Sequence, residues 1–169
     1  MGHDPSQRRF VARSSDSRPE VQQAVWFLGA LVRIRAGGDA TAGSLAVLEH
    51  QGERGYNSPM HRHLADEETF FVIDGEVRIE VGGDMHLAGA GAVAFLPRQR
   101  PHGFVVTSAQ ARFLTLHTPA GFDRFALAAG APVSTTDTMP PEMVPSDPAA
   151  LAAMASSYGI EVVGPPPAL

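Results

Sequence analysis

The chain has 169 residues, a length typical of a single domain, and a formal net charge of −5. All 13 basic residues are arginines and there is no cysteine, which excludes lysine Schiff-base chemistry, disulfides, thiolate metal sites and cysteine catalysis. The acidic balance predicts no nucleic-acid partner, and no apolar run approaches the roughly 20 residues that a membrane-spanning helix needs. We therefore expect a soluble, cytoplasmic protein with no membrane partner.

Composition divides the chain into three parts. Residues 1–20 are polar and aperiodic, and we expect a flexible arm or one exchanged with a partner. Residues 21–119 consist of short apolar runs separated by Gly, Pro and Asp, among them "AVWFLGALVRIRA", "SLAVLEH", "EVRIEV" and "ARFLTLHT". Many short strands at this spacing predict an all-β sandwich or barrel. Residues 120–169 are predicted to form a helical extension that packs on the barrel.

Two local patterns in the barrel segment predict geometry. In "EVRIEV", Val77 and Ile79 fall on one face of a strand and are expected to point into the core. The Asp74-Gly75 pair just before this strand predicts a tight hairpin, because glycine accepts the positive φ that such turns require. Three phenylalanines are also expected in the core: Phe70, Phe95 and Phe104.

The C-terminal third changes pattern and predicts two short helices, in "GFDRFALAAG" and "SDPAALAAMASSYG". Ser146 or Asp147 can cap the second helix, and Gly159 can adopt the left-handed conformation that ends it. Leu151 and Met154 lie on one face of this helix, which we expect to pack against the barrel.

A cluster of histidines and acidic residues stands out in "GYNSPMHRHLADEETFFVIDG". His61 and His63 are two residues apart, so on a strand both side chains project to the same face and can converge on one ion. Glu68 follows five residues later, an odd step, so the chain must turn between them to bring its carboxylate back. His102 opens a later apolar strand and is the candidate for a fourth ligand. Three histidines and one carboxylate accept Fe, Mn, Co, Ni, Cu or Zn.

The remaining histidines are expected to be structural or exposed rather than functional. His3 lies in the arm, and His50 and His86 are predicted at strand edges. His117 follows the apolar run of the last barrel strand and could approach a pocket. For the cluster itself, the alternative is a solvated turn with surface histidines, which would leave the joint spacing unexplained.

This spacing resembles the first motif of the cupin superfamily. Gly55, five residues, His61-x-His63, four residues, Glu68, six residues and Gly75 match that motif completely. The resemblance covers about residues 26–118. It implies a double-stranded β-helix, or jelly-roll barrel, with short helices added at its C-terminal end and the metal inside the barrel mouth.

The second cupin motif is only partly matched. Gly91, Pro97 and His102 stand at its expected positions, whereas Gln99 replaces the usual glycine and Val106 the usual asparagine. Neither replacement changes a ligand. The resemblance therefore implies one divalent transition ion per chain, held by the three histidines and the glutamate.

A narrower resemblance, over most of the chain, is to small bacterial monocupins of the quercetin 2,3-dioxygenase-like type. It implies that the protein binds a flavonol-like enolate beside O2 and that Glu68 takes the proton of the substrate hydroxyl. A homodimer is expected, since most cupins assemble in this way. Two other functions stay open: a non-oxidative isomerase or cyclase acting on a small molecule, and a non-catalytic module that binds a small ligand through the ion.

Overall fold

A computed structural model describes residues 23–134 and 147–169 of the chain. The predicted arm of residues 1–20, with His3, and the alternative cap Ser146 lie outside the described residues. The described secondary structure consists of β1 (Ala24–Phe27), β2 (Ala30–Ala36), β3 (Ala46–Glu53), β4 (Met60–His63), β5 (Glu67–Asp74), β6 (Glu76–Val81), β7 (Asp84–Gly89), β8 (Val93–Leu96), β9 (His102–Val106), β10 (Gln110–Thr118), α1 (Phe122–Ala129), β11 (Ala131–Pro132), α2 (Pro148–Ser156) and β12 (Ile160–Gly164). Neither α1 nor α2 is long and apolar enough to cross a bilayer.

The strands form two antiparallel sheets. Seven strands pair in the order β11-β1-β2-β3-β10-β5-β8, and five pair in the order β12-β4-β9-β6-β7. Residues from both sheets share one apolar core, in which Phe70 of β5 and Phe113 of β10 meet Phe104 of β9. This architecture confirms the prediction of an all-β jelly-roll with short helices near its C-terminal end.

Alternation along the strands decides which side chains enter the core. In β6, Val77 and Ile79 are fully buried, as predicted. Phe70 and Phe104 are buried as well, but the prediction for Phe95 is wrong, since its side chain is 59% exposed. The reason is register: β8 pairs with β5 so that Leu96 lies opposite Glu68 and faces inward, which turns Phe95 outward.

The run "AVWFLGALVRIRA" is a hairpin rather than one strand. β1 and β2 pair with Phe27 opposite Ala30, and the two residues between them, Leu28 and Gly29, have φ values of 51° and 87°. Two successive positive φ angles are the mark of the tight turns that join antiparallel strands. The apolar run alone did not reveal this break.

The predicted hairpin at Asp74-Gly75 is wrong, although the turn is real. β5 pairs with β10 and β8, whereas β6 pairs with β7 and β9, so the chain leaves one sheet and enters the other at this point. Gly75 has a φ of 79°, and a Cβ atom there would collide with the backbone of Gln110 and Ala111. Glycine is therefore required at a corner between the sheets.

The C-terminal part supplies both helices and one more strand. Asp147 caps α2 by accepting a hydrogen bond from the backbone N–H of Ala149 at 3.0 Å, and Gly159 has a φ of 72° after the helix ends. Leu151 packs against an apolar cluster that includes Phe125 and Ile160, whereas Met154 is 40% exposed. β12 then pairs with β4, the strand of the two histidines.

Candidate metal centre

β4 and the turn after it determine where the first three candidate ligands point. Along β4 the burial alternates, so that His61 and His63 face the barrel interior and Arg62 faces outward, where it pairs with Glu161 at 2.6 Å. The chain turns over residues 64–66 and begins β5 at Glu67. Because of this turn Glu68 points inward, as predicted from its spacing of five residues from His63.

The fourth residue reaches the site through strand pairing. His102 opens β9, and its Cα lies opposite that of His61 in the register of β4 and β9. All four side chains are buried, with exposed fractions between 1% and 8%. The structure thus brings together the complete set that the sequence singled out: His61, His63, Glu68 and His102.

The ligand atoms of these residues converge on one point. His61 Nε2 lies 3.2 Å from His63 Nε2, and Glu68 Oε2 lies 3.0 Å from His102 Nε2 and 3.5 Å from His63 Nε2. One ligand atom from each of the four residues lies within 4.8 Å of every other. Two imidazole nitrogens at 3.2 Å repel each other unless a proton or a cation lies between them.

The opposite nitrogen of each imidazole is fixed by a hydrogen bond. Nδ1 of His61 lies 2.8 Å from the carbonyl oxygen of Pro59, and Nδ1 of His102 lies 2.9 Å from that of Arg100. Because a carbonyl only accepts, both Nδ1 atoms must carry the proton, which leaves Nε2 free to bind a cation. The donor set therefore fits a divalent transition ion.

Electrostatics around the cluster favour a cation. Burial alone would raise the pKa of Glu68, but the surrounding histidines, His117 first among them, outweigh it and hold the pKa well below its usual range. Burial, with its neighbours His102 and His63, lowers the pKa of His61 to about 3. Glu68 is thus a buried anion, and the neighbouring His61 is neutral and does not compensate its charge. A bound cation would do so.

His63 behaves differently because a second carboxylate holds it. Its Nδ1 lies 3.1 Å from Asp66, a residue that the sequence did not single out. Burial would lower the pKa of His63, but its hydrogen bonds to Asp66 and Glu68 raise it to about 9. Asp66 thus orients this imidazole in the way that carboxylates orient the histidines of metal sites.

Asp66 also begins a buried hydrogen-bonded chain. Its other partner is His117, and the chain continues through the Thr115 hydroxyl to His50 and the phenol of Tyr56. The predicted position of His50 at a strand edge is wrong: this residue lies in the middle of β3 with 2% exposure, on the inner face. His117 is fully buried and lies opposite Glu68 in the register of β10 and β5.

His86 is exposed on β7, as expected. The sequence did carry one signal for His117, because Phe113, Thr115 and His117 recur with a period of two and must share a face. Nothing in the sequence connects that face to Asp66.

A pocket opens onto the candidate metal centre. Its polar lining comes from the inner faces of the barrel: His50, Tyr56, Ser58, His61 and Glu68. Its apolar lining includes Phe27, Phe104, Phe122, Phe125, Leu151 and Ile160, so that α1, α2 and β12 all contribute walls. The arrangement is an apolar, largely aromatic cavity with a few polar groups grouped around one site, which is typical of small-molecule sites.

One protein-family model matches part of the chain. Residues 48–117 match the family model described as "Cupin domain", a segment that contains all four candidate ligands. No curated protein sequence matches the chain significantly.

Several solved structures share the fold. An RmlC-like cupin from Shewanella frigidimarina NCIMB 400 has a TM-score of 0.55 and 19% identity, over 66% of this chain and 96% of that one. The polyketide cyclase RemF from Streptomyces resistomycificus has a TM-score of 0.52 and 23% identity, over 64% and 80%. KdgF from Halomonas sp. has a TM-score of 0.52 and 21% identity, over 57% and 84%. At these identities the likeness concerns the fold.

Proposed function

We propose that this cupin-domain protein is a metal-dependent dioxygenase that binds a planar, enolisable aromatic molecule of the flavonol type and cleaves its ring. The observation that carries the proposal is the aromatic pocket that opens onto Glu68 and His61. A bound divalent transition ion would supply Lewis acidity and, where it is redox-active, the reactivity toward O2. Its proposed ligands are His61, His63, Glu68 and His102.

The pocket walls favour a flat apolar ligand. Phe122 and Phe125 of α1 lie against Phe27 with edge-to-face geometry and ring centroids 6.2 and 5.6 Å away. Phe104 also lines the pocket. Aromatic side chains in these orientations offer both ring faces and ring edges to an aromatic substrate, and they exclude water from the polar groups beneath.

Glu68 is proposed to take the proton of the substrate hydroxyl. Among the described residues that line the pocket it is the one carboxylate, and its depressed pKa keeps it ionised, which makes it a base, although a weak one. In the overall reaction, both atoms of O2 enter the product while one carbon of the substrate leaves as carbon monoxide. No external reductant is consumed.

Oxygen uptake tests this function directly. The protein would be loaded separately with each of the six candidate metals and mixed with a panel of flavonols in an oxygen electrode. With at least one metal, we expect O2 consumption equal to flavonol loss, accompanied by carbon monoxide. If product formed without O2 consumption, the protein would be a non-oxidative isomerase or cyclase and not a dioxygenase. If a flavonol bound and no product formed, the protein would be a non-catalytic ligand-binding module.

We also propose a homodimer in which a second copy covers the exposed edge of the seven-stranded sheet. β8 is an edge strand there, and its outward side chains Val93 and Phe95 are 66% and 59% exposed. Phe71 of the neighbouring β5 lies opposite Val93 and adds to the same apolar surface. Unpaired edges with apolar side chains favour association, and a two-fold dimer is the commonest closed solution.

Light scattering at micromolar concentration should therefore give the mass of a dimer, and Val93→Asp should give a monomer. Val163→Asp is the matched control, because Val163 is a similarly exposed valine on β12, away from this edge. A version without residues 1–20 tests whether the arm contributes. A monomeric wild-type protein would refute the dimer.

A further inference from the structure

Ser58 is a buried polar residue in the lining of the pocket. It lies in the segment between β3 and β4 and is 8% exposed. The same lining contains the aromatic rings of Tyr56 and Phe104 and the proposed ligand His61. A hydroxyl group in such surroundings needs hydrogen-bonding partners, because burial of an unpaired polar group costs free energy.

The backbone around Ser58 is held against β9. The N–H of Ser58 donates to the carbonyl oxygen of Phe104 at 3.1 Å. The preceding residue, Asn57, forms an antiparallel bridge with Val105. These contacts fix the backbone from which the Ser58 side chain projects.

The direction of the hydrogen bond at the Ser58 hydroxyl follows from a backbone group. The N of Phe104 lies 3.3 Å from Ser58 Oγ, and since an amide N–H only donates, Oγ must be the acceptor. Neither group titrates near neutral pH, so this direction does not depend on the charge of the nearby histidines. The bond uses one lone pair of Oγ and leaves the hydroxyl hydrogen unused.

That hydrogen is available to a ligand. Within residues 23–134 and 147–169, Ser58 Oγ donates to no acceptor. A hydroxyl donor is best matched by an oxygen that has lone pairs and carries no hydrogen of its own, as a carbonyl oxygen does. A carbon atom in the same place would leave the buried donor unpaired, at a cost of about 1–3 kcal/mol for a typical polar group.

The position of Ser58 places this donor close in the chain to the candidate metal centre. The next residue, Pro59, also lines the pocket, and its carbonyl oxygen accepts the hydrogen bond from Nδ1 of His61 at 2.8 Å. Ser58 and Glu68 line one pocket. A single substrate can therefore meet a hydrogen-bond donor at Ser58 and a base at Glu68.

We propose that Ser58 is a specificity-determining residue whose hydroxyl donates a hydrogen bond to a carbonyl oxygen of the substrate. The inference rests on the proposed function, since it requires the pocket beside the metal centre to be the substrate pocket. It narrows the substrate class to molecules that carry a carbonyl group as well as the hydroxyl that approaches Glu68. A site built to hydrogen-bond one substrate group discriminates against the analogue that lacks it, because a buried polar group is then left unpaired.

Two flat ligands of similar shape test the proposal by their binding to the zinc-loaded protein, without turnover. 3-Hydroxyflavone carries the carbonyl group, whereas 3-phenyl-2-naphthol keeps the hydroxyl beside the phenyl ring and lacks the carbonyl. Ser58→Ala should weaken binding of 3-hydroxyflavone by roughly 10-fold, the contribution of one neutral hydrogen bond, and leave that of 3-phenyl-2-naphthol nearly unchanged. Ser44→Ala is the matched control and should change neither affinity, because Ser44 is exposed and does not line the pocket.

A merely structural role of Ser58 gives a different result. Ser58→Ala also removes the acceptor of the Phe104 N–H, and if this alone mattered, both ligands would lose affinity alike. An equal effect on the two ligands, or no effect on either, would overturn the proposal and leave the flavonol pocket in place. If the wild-type protein bound neither ligand, the flavonol pocket itself would be wrong, and with it both the proposed function and this inference.

The carbonyl stretching frequency of bound 3-hydroxyflavone, labelled with 13C at the carbonyl carbon, is a second measurement. A hydrogen bond to the oxygen weakens the C=O bond, so the frequency should be lower in the wild-type complex than in the Ser58→Ala complex. The Ser44→Ala complex should match the wild type. Equal frequencies in the wild-type and Ser58→Ala complexes would overturn the proposal, whatever the affinities.

Discussion

His61→Ala and His102→Ala should each lose most of their bound metal. Each variant removes an imidazole whose Nε2 lies in the four-residue cluster and whose Nδ1 is already fixed by a backbone carbonyl. Loss of an outer partner of a metal ligand typically weakens affinity by roughly 10- to 100-fold, and loss of a ligand itself should exceed this. Elemental analysis after dialysis against a fixed concentration of free metal gives the occupancy.

His86→Ala is the matched control. His86 is exposed on β7 and belongs to neither of the histidine-carboxylate groups among the described residues. This variant should retain one ion per chain. Full retention of metal by both His61→Ala and His102→Ala would refute the assignment of these residues as ligands.

The metal affinity of the wild-type protein should depend on pH in a defined direction. The pKa of His63 is raised to about 9 in the metal-free protein, so at neutral pH this imidazole is protonated. Binding through Nε2 must displace that proton. Metal affinity should therefore rise as the pH is increased toward about 9 and level off above it, and titrations near pH 7 should release protons.

The sequence predicted the elements whose signals are local. Alternation placed Val77 and Ile79 in the core, and the capping residue Asp147 and the terminal Gly159 marked the end regions of α2. Where the outcome depended on which strands pair, the prediction failed. The Asp74-Gly75 signal required a turn but could not say that the next strand joins the other sheet.

In the candidate site, too, features with local sequence signals were predicted and features set by strand pairing were not. The four proposed ligands lie in motifs whose spacing sets their direction, and the structure brings all four together. The chain from Asp66 to Tyr56 depends instead on β3, β10 and β5 lying side by side, in a register that puts Phe113 opposite His50 and His117 opposite Glu68. Such long-range registers leave no mark in the spacing of a single strand.

Glu68→Gln should lower turnover by roughly 10²-fold or more per bound ion, the usual contribution of a positioned general base. The substitution keeps the shape of the side chain and one carbonyl oxygen but removes the negative charge. Metal affinity should weaken as well, because a neutral amide replaces the anionic member of the cluster. Turnover is therefore compared per bound ion, measured on the same sample.

Glu67→Gln separates the role of Glu68 from the general effect of removing a carboxylate on β5. Glu67 faces outward and pairs with Arg98 at 3.1 Å, and a surface ion pair of this kind contributes little to stability. Its variant should keep both metal and turnover. The low pKa of Glu68 makes it a weak base, so the proton transfer requires an acidic substrate hydroxyl such as an enol. If Glu68→Gln turned over its flavonol at the wild-type rate per ion, Glu68 would not be the base.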